Sequence, residues 1–368
     1  MKYYLVAGEA SGDLHGANLI KTLKQIDHNA DFRFYGGHLM QAAGGTLVKH
    51  YADMAFMGFL EVALNLKTIL KNIKNCKVDV LAYQPDVLIL IDFPGFNLKI
   101  AEFAKKNNLK VCYYISPKVW AWNQKRVLKI KQHVDKLFCI LPFEVAFYKK
   151  WGMEVQYVGN PLLDAIENFY PNPNFIKNNQ LSTKKIIALL PGSRKQEIAH
   201  ILPVMLSVTS QFSQYQFVIA GAPSFNNDFY LPYTAGKKIP IIFNQTYDLL
   251  KNAHAALVTS GTATLETALF KVPQVVLYKG NAISIAIARM LVDIKFISLV
   301  NLIMDKGIVK ELIQQDCNTA MLCNELSNIL RNKREEILNN YAQLATLMGK
   351  AGASEKVATM LYSWLCSK

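Results

Sequence analysis

The sequence predicts an α/β protein of two doubly wound domains, each a parallel sheet covered by helices on both faces, with further helices at the C-terminus. Three observations carry this expectation. Short apolar runs alternate with helical patterns in two successive series, as βαβ units require. A Pro- and Asn-rich break, Tyr170-Pro171-Asn172-Pro173-Asn174 followed by Asn178-Asn179-Gln180, separates the two series. The chain has 368 residues, 51% of them apolar, which is long for one α/β core and suitable for two.

The first series opens with a strand over 2–7, a Gly-rich turn, and a helix from about 13 to 26. Strand-like runs follow at 32–35, 87–91, 111–115, 137–140 and 155–158, with helical patterns between several of them. The second series has runs at 185–190, 216–220, 239–243, 255–258 and 274–277. After about 308 the pattern reads as helical to the end. The expected organisation is a domain over 1–168, a linker over 169–180, a second domain over 181–331, and helices over 332–368 that pack back on an N-terminal domain, its own or a partner's.

Formal net charge is +14 and the pI is about 9.3, so an anionic partner is favoured: nucleotide, nucleic acid or an anionic membrane surface. The six cysteines form no C-x-x-C and read as free thiols in a reducing compartment. The seven histidines show no metal spacing, and no Asp-x-Asp is present, so no metal is expected. The apolar run at 3–7 is too short for a signal peptide, and no run of about 18 apolar residues marks a transmembrane helix. The most apolar late segment, 283–304, carries Arg289, Asp293 and Lys295. A cytoplasmic protein with only peripheral membrane contact is expected.

Two turns stand out in the second half. Leu190-Pro191-Gly192-Ser193-Arg194 and Ser260-Gly261-Thr262-Ala263-Thr264-Leu265-Glu266 each follow a buried strand and open a helix. Helix N-termini with small residues offer N–H groups and a favourable dipole to phosphate. Gly192, Ser193, Arg194, Ser260, Gly261, Thr262, Ala263 and Thr264 are therefore the diphosphate candidates, and Glu266, one turn into its helix, the ribose candidate. Helix capping alone explains any one of these residues; the pair of turns favours a nucleotide diphosphate. No Walker lysine follows either glycine, which argues against an ATPase.

In the first half, Gly8-Glu9-Ala10-Ser11-Gly12-Asp13-Leu14-His15-Gly16 lacks the dinucleotide fingerprint, and its acids would repel a pyrophosphate. It reads equally as a sugar-binding or acceptor loop and as an ordinary capped turn. Asp92 ends the all-apolar run 87–91 and is placed to serve as a general base, or to cap the next helix. Ser116-Pro117-Lys118-Val119-Trp120-Ala121-Trp122 precedes a basic helix. The stretch 56–74 reads as an amphipathic helix, with Lys67, Lys71 and Lys74 on one face, suited to a packed surface or to an anionic bilayer.

Taken together, these segments resemble the lipid-A-disaccharide synthase family over essentially the whole length. The carrying segments are Gly8–Asp13, Met57-Gly58-Phe59-Leu60-Glu61-Val62, Pro85-Asp86 with Ile91-Asp92, 116–122, Leu141-Pro142-Phe143-Glu144, 190–194, 260–266 and Ile297-Ser298-Leu299-Val300-Asn301. The resemblance implies a metal-independent, inverting glycosyltransferase of GT-B fold, its two domains facing a cleft. It implies UDP-2,3-diacylglucosamine as donor, 2,3-diacylglucosamine 1-phosphate (lipid X) as acceptor, no cofactor, and peripheral contact with the cytoplasmic face of the inner membrane. It also implies a possible homodimer through exchange of C-terminal helices. Asp92 matches the family's essential acid; Arg194, Glu266 and Asn301 match UDP-side positions. Glu9 and Asp13 join Asp92 as catalytic candidates. The family's Pro-Asp-Phe is here Pro94-Gly95-Phe96, its Gly-His is here Gly159-Asn160, and His15 replaces an aliphatic residue and is an alternative base. Rivals are a MurG-like transferase or a UDP-sugar 2-epimerase, which would lack segments 57–62 and 116–122. A nucleic-acid-binding protein has only the charge in its favour, and no nucleic acid is expected as partner.

Overall fold

The computed structural model describes residues 1–54, 65–121, 123–234, 236–280 and 295–367. The segment 57–62, Trp122 and most of 283–304 therefore lie outside the described residues. The chain forms two compact units, one of Met1–Glu167 with Lys350–Lys368, the other of Asn168–Gly349.

The first unit holds a seven-stranded sheet, ordered β3-β2-β1-β4-β5-β6-β7. Its strands are β1 (Lys2–Ala7), β2 (Asp31–Gly36), β3 (Thr46–His50), β4 (Val87–Ile91), β5 (Val111–Tyr114), β6 (Lys136–Cys139) and β7 (Gln156–Tyr157), all in parallel pairings. Strand β1 shows why both faces are covered. Tyr3, Leu5 and Ala7 point into one buried cluster, and Tyr4 and Val6 into the other, as the two-residue period of a strand dictates. Strand β3 was not anticipated; its residues are only half-buried, so its apolar signal is weak.

The second unit holds a six-stranded parallel sheet, ordered β10-β9-β8-β11-β12-β13. These are β8 (Ile186–Leu190), β9 (Gln216–Gly221), β10 (Ile241–Phe243), β11 (Ala253–Thr259), β12 (Gln274–Tyr278) and β13 (Lys310–Ile313). The last corrects the expectation of continuous helix after 308. Only Leu312 of its four residues is buried, so Lys310-Glu311-Leu312-Ile313 carries too little apolar pattern to announce a strand.

The stretch expected as a linker contributes Phe175, 1% exposed, to the core of the second unit. The C-terminal stretch is two pieces. The helix Arg334–Met348 belongs to the second unit, where Tyr341 accepts from Gln274 Nε2 at 3.1 Å. The helix Ala353–Cys366 returns to the first unit, where Val357, Ala358 and Leu361 join the cluster of Tyr3 and Leu5. Asp164 caps that helix, accepting from Gly352 N at 2.6 Å.

In both sheets the strand order reverses direction beside the first strand of the series: between β1 and β4, and between β8 and β11. Ligands of open α/β sheets bind outside the carboxyl ends of strands at such switch points. The turns at 8–9, 92–93, 191–194 and 260–261 follow those four strands.

Candidate active site

In the first unit, Asp92 and Phe93 both take left-handed backbone angles, φ 43° and 50°. Such angles cost free energy in non-glycine residues and persist only where the surroundings impose them. Here Asn97, fully buried in the helix Pro94–Lys106, donates its amide to the carbonyls of Val6, Ile91 and Asp92, at 3.3, 3.2 and 2.8 Å. The Tyr113 hydroxyl donates to the Asp92 carbonyl as well. Gly8 is required beside this turn, because a Cβ there would stand 2.2 Å from the Phe93 ring. The backbone is thus fixed from three sides, and the Asp92 carboxylate is held at the switch point.

Burial pushes the Asp92 carboxyl up to about 6. The Lys118 ammonium pulls it down, and the nearby Glu9 carboxylate raises it further. A carboxylate tuned near working pH is suited to general-base chemistry. Glu9 is the residue before the first helix, Ala10–Ile26. That helix starts earlier than expected, so Ser11, Gly12 and Asp13 are helical and not a loop.

Asp13, the other catalytic candidate on this helix, is tied to the backbone of the turn after β2. It is 3% exposed, and its carboxylate accepts from the N–H groups of Gly37, Leu39 and Met40 at 2.8, 3.1 and 3.1 Å. It caps the short helix His38–Ala43 from outside. Both carboxylate oxygens are thereby engaged within the protein. His15 lies next along the same helix. Burial lowers its imidazole to about 4, opposed by Asp164, and its Nδ1 is buried without a partner.

In the second unit the two turns follow neighbouring strands, β8 and β11. Gly192 has φ 103°, and a Cβ there would meet the Glu197 carboxylate at 2.7 Å. Arg194 precedes the helix Lys195–Ser207; its side chain is 64% exposed and reaches Glu197 at 3.3 Å. Ser193 is exposed beside it. After β11, Gly261 and Thr262 are exposed, and the space around Gly261 is open. They open the helix Thr262–Leu269, whose first N–H groups lack intrahelical partners. Glu266 lies one turn on; Tyr247 donates to it at 2.8 Å, and burial raises its carboxyl while that bond opposes.

Three expected ligand groups are spent within the protein. The Thr264 hydroxyl is buried and donates to the Gly261 carbonyl at 2.7 Å. The Ser260 hydroxyl donates to the Ile297 carbonyl at 2.9 Å. Asn301 is 1% exposed and uses every polar atom: it donates to Val309 O and Glu311, at 2.9 and 2.8 Å, and accepts from Ile308 N and Val309 N, at 2.9 and 3.0 Å. These side chains are thus engaged within the protein. Ser193, Arg194, Gly261 and Thr262 are exposed at the two turns.

The sequence as a whole matches the family model described as lipid-A-disaccharide synthetase over residues 3–360. The chain belongs to the lipid-A-disaccharide synthase family. It is 40% identical over 366 residues to the lipid-A-disaccharide synthase of Syntrophus aciditrophicus (strain SB), covering 97% of this chain and 96% of that protein. It is 36% identical over 368 residues to that of Trichlorobacter lovleyi (strain ATCC BAA-1151 / DSM 17278 / SZ), covering 98% and 96%. Among solved structures, it resembles the UDP-GlcNAc 2-epimerase of Neisseria meningitidis bound to UDP-GlcNAc, with TM-score 0.69 and 14% identity over 99% of this chain and 100% of that one. At that identity the likeness speaks for the fold, which is GT-B. The activity is that of the family: glycosyl transfer in lipid A synthesis.

Two family segments far apart in sequence meet in the first unit. The Glu144 carboxylate, 1% exposed, accepts from the Trp120 indole at 3.2 Å and from Ile140 N and Leu141 N at 3.2 and 3.0 Å. Trp120 packs edge-on against Phe143, ring centroids 4.9 Å apart, and Ser116 shares a 2.7 Å hydrogen bond with Tyr148. Segments 116–120 and 141–144 therefore brace one another and hold Lys118 near Asp92. Asn97, Tyr113, Tyr247 and Glu311 also support the site and escaped sequence reading. Tyr113, Tyr247 and Glu311 act on residues 10 to 21 positions away, which spacing along the chain does not reveal.

Proposed function

We propose that this synthase works by direct displacement, with UDP-2,3-diacylglucosamine as donor and 2,3-diacylglucosamine 1-phosphate as acceptor. Asp92 takes the proton from the acceptor 6-hydroxyl as that oxygen attacks the anomeric carbon of the donor. The bond from that carbon to the UDP oxygen breaks, and the electron pair leaves with UDP. The β-1,6-linked disaccharide 1-phosphate and UDP are the products. Negative charge growing on the diphosphate is met by Arg194, Ser193 and the N-terminal N–H groups at Gly261–Ala263. Glu266, held by Tyr247, accepts from the ribose hydroxyls. The observation that carries this reading is Asp92: a constrained carboxylate at a switch point, raised to about 6.

Membrane contact is proposed for the helix Leu66–Tyr83, the described part of the amphipathic stretch. Leu66 and Leu70 are 51% and 50% exposed there, and Lys67, Lys71 and Lys74 are exposed. Apolar side chains flanked by lysines suit the interface of an anionic bilayer. Among the described residues no helix is long and apolar enough to cross a membrane. Exchange of the helix Ala353–Cys366 between two chains is proposed as the route to a dimer; the buried face of that helix supports it.

The test is a mass-spectrometric assay of the purified protein with both lipid substrates and no added metal. The expected product is a tetra-acyl disaccharide monophosphate, with one UDP per product. UDP release only from non-acylated UDP-sugars would overturn the substrate reading.

A further inference from the structure

The first unit carries a cavity of about 360 Å³ whose lining starts at Pro94, at the beginning of the helix that follows Asp92. Its volume lies in the range of small-molecule sites. Pro94 and Gly95 form one wall, and Leu98 the apolar floor. The rest is mostly cationic: Lys99 on the helix Pro94–Lys106, and Lys125, Arg126 and Lys129 at the start of the helix Arg126–His133. One carboxylate, Glu102, also lines it and is paired with Lys106 at 2.8 Å. Among the described residues, Lys99, Lys125 and Lys129 have no ion-pair partner. Three unpaired lysines beside one already-paired carboxylate leave the cavity with unbalanced positive charge. Nothing stands within 4 Å of a Cβ built on Gly95, so the wall nearest Asp92 is open.

We infer that this cavity binds the phosphate monoester of the acceptor. The inference rests on the acceptor assignment above. The acceptor must present its 6-hydroxyl to Asp92 and carries its phosphate across a single hexose ring. Pro94 is two residues beyond Asp92, a stretch of chain reaching at most about 7 Å, so the cavity wall starts within a sugar's length of the base. Clustered lysines and an arginine are the groups that hold a phosphate dianion, and both flanking helices present their N-terminal ends to it. The cavity would then fix the orientation of the acceptor and select phosphorylated over unphosphorylated sugar.

The experiment compares the full-length enzyme with Lys99→Gln, Lys125→Gln, Lys129→Gln and the triple variant, in detergent micelles. The three lysines are exposed, so folding should survive. Each is assayed with 2,3-diacylglucosamine 1-phosphate and with the same sugar bearing a free 1-hydroxyl. The triple variant should raise the acceptor KM roughly 10–100-fold, as loss of charge-assisted bonds implies, with donor KM unchanged. Its preference for the phosphorylated acceptor should collapse, because the unphosphorylated sugar has nothing to lose. An equal penalty on both acceptors, or no change on either, overturns the inference. So does a loss of binding to phosphatidylglycerol vesicles with acceptor KM in micelles intact, which would make the cavity a bilayer contact. Absence of turnover by the unmutated enzyme would overturn the acceptor assignment itself, an outcome distinct from turnover without discrimination.

Discussion

Glu311 accepts from both the main-chain N–H and the hydroxyl of Ser298, at 2.9 and 2.7 Å. The same oxygen takes the Asn301 amide at 2.8 Å, and the other takes Ile297 N at 3.0 Å. Ser260 then donates to the Ile297 carbonyl. One carboxylate on the edge strand β13 thus fixes the segment on which the 260–263 turn rests. Glu311→Ala leaves four donors without their acceptor, each costing about 1–3 kcal/mol where water cannot replace it. Calorimetric titration of UDP should show affinity at least about tenfold weaker, with a lower Tm. Glu311→Gln should recover part of both, since its amide oxygen still accepts. Undiminished UDP affinity in Glu311→Ala would show that segment 297–301 does not set the turn.

The raised carboxyl of Asp92 predicts an acidic limb in the pH–rate profile near 6, with activity rising as Asp92 ionises. Two neighbours should move it in opposite directions. The Lys118 cation favours the ionised form, so Lys118→Met should shift the limb upward. The Glu9 carboxylate disfavours it, so Glu9→Gln should shift the limb downward. The observable is kcat/KM against pH for the three proteins. Parallel shifts, or none, would mean that another group titrates.

Base and leaving-group roles separate by substitution. Asp92→Asn removes the proton acceptor while keeping shape, and should lower kcat at least about 100-fold with UDP affinity retained. Arg194→Ala should weaken UDP binding as well as turnover, because its guanidinium is exposed at the turn proposed to hold the diphosphate. Near-normal turnover by Asp92→Asn would end its assignment as base.

Much of this was legible in the sequence because it is local. The apolar run Val87–Ile91 and the polar Asp92 after it announce a buried strand and its edge. The glycines at 192 and 261 announce turns where backbone must be approached. What stayed hidden depends on strand order. Asp13 is about one turn from Glu9 along the sequence, yet its partners lie beyond β2, at Gly37 to Met40. The carboxylate of Glu144 serves Trp120, 24 residues earlier. Strands β3 and β13 sit at sheet edges, where half-polar sequences suffice and apolar periodicity fades. Asn301 stood out only through the family resemblance, and its bonds to the loop around Ile308 and Val309 are not visible in the chain's spacing.

His15 supplies a prediction about stability. Its imidazole titrates near 6.5 in an unfolded chain and is lowered by burial to about 4 in the folded one. Between those values the unfolded chain binds the proton and the folded protein does not. Its contribution is therefore fully present above about 6.5 and is lost as pH falls toward 4. At about 1.4 kcal/mol per pH unit, the loss across the window is on the order of 3 kcal/mol. His15→Gln removes the titration but keeps a polar side chain. Urea unfolding at pH 7 and pH 4.5 should show a smaller loss of stability on acidification for the variant than for the parent. The same variant tests the rival base: it should keep the acidic limb near 6, since that limb belongs to Asp92. Disappearance of the limb in His15→Gln would transfer the proton-accepting role to the histidine.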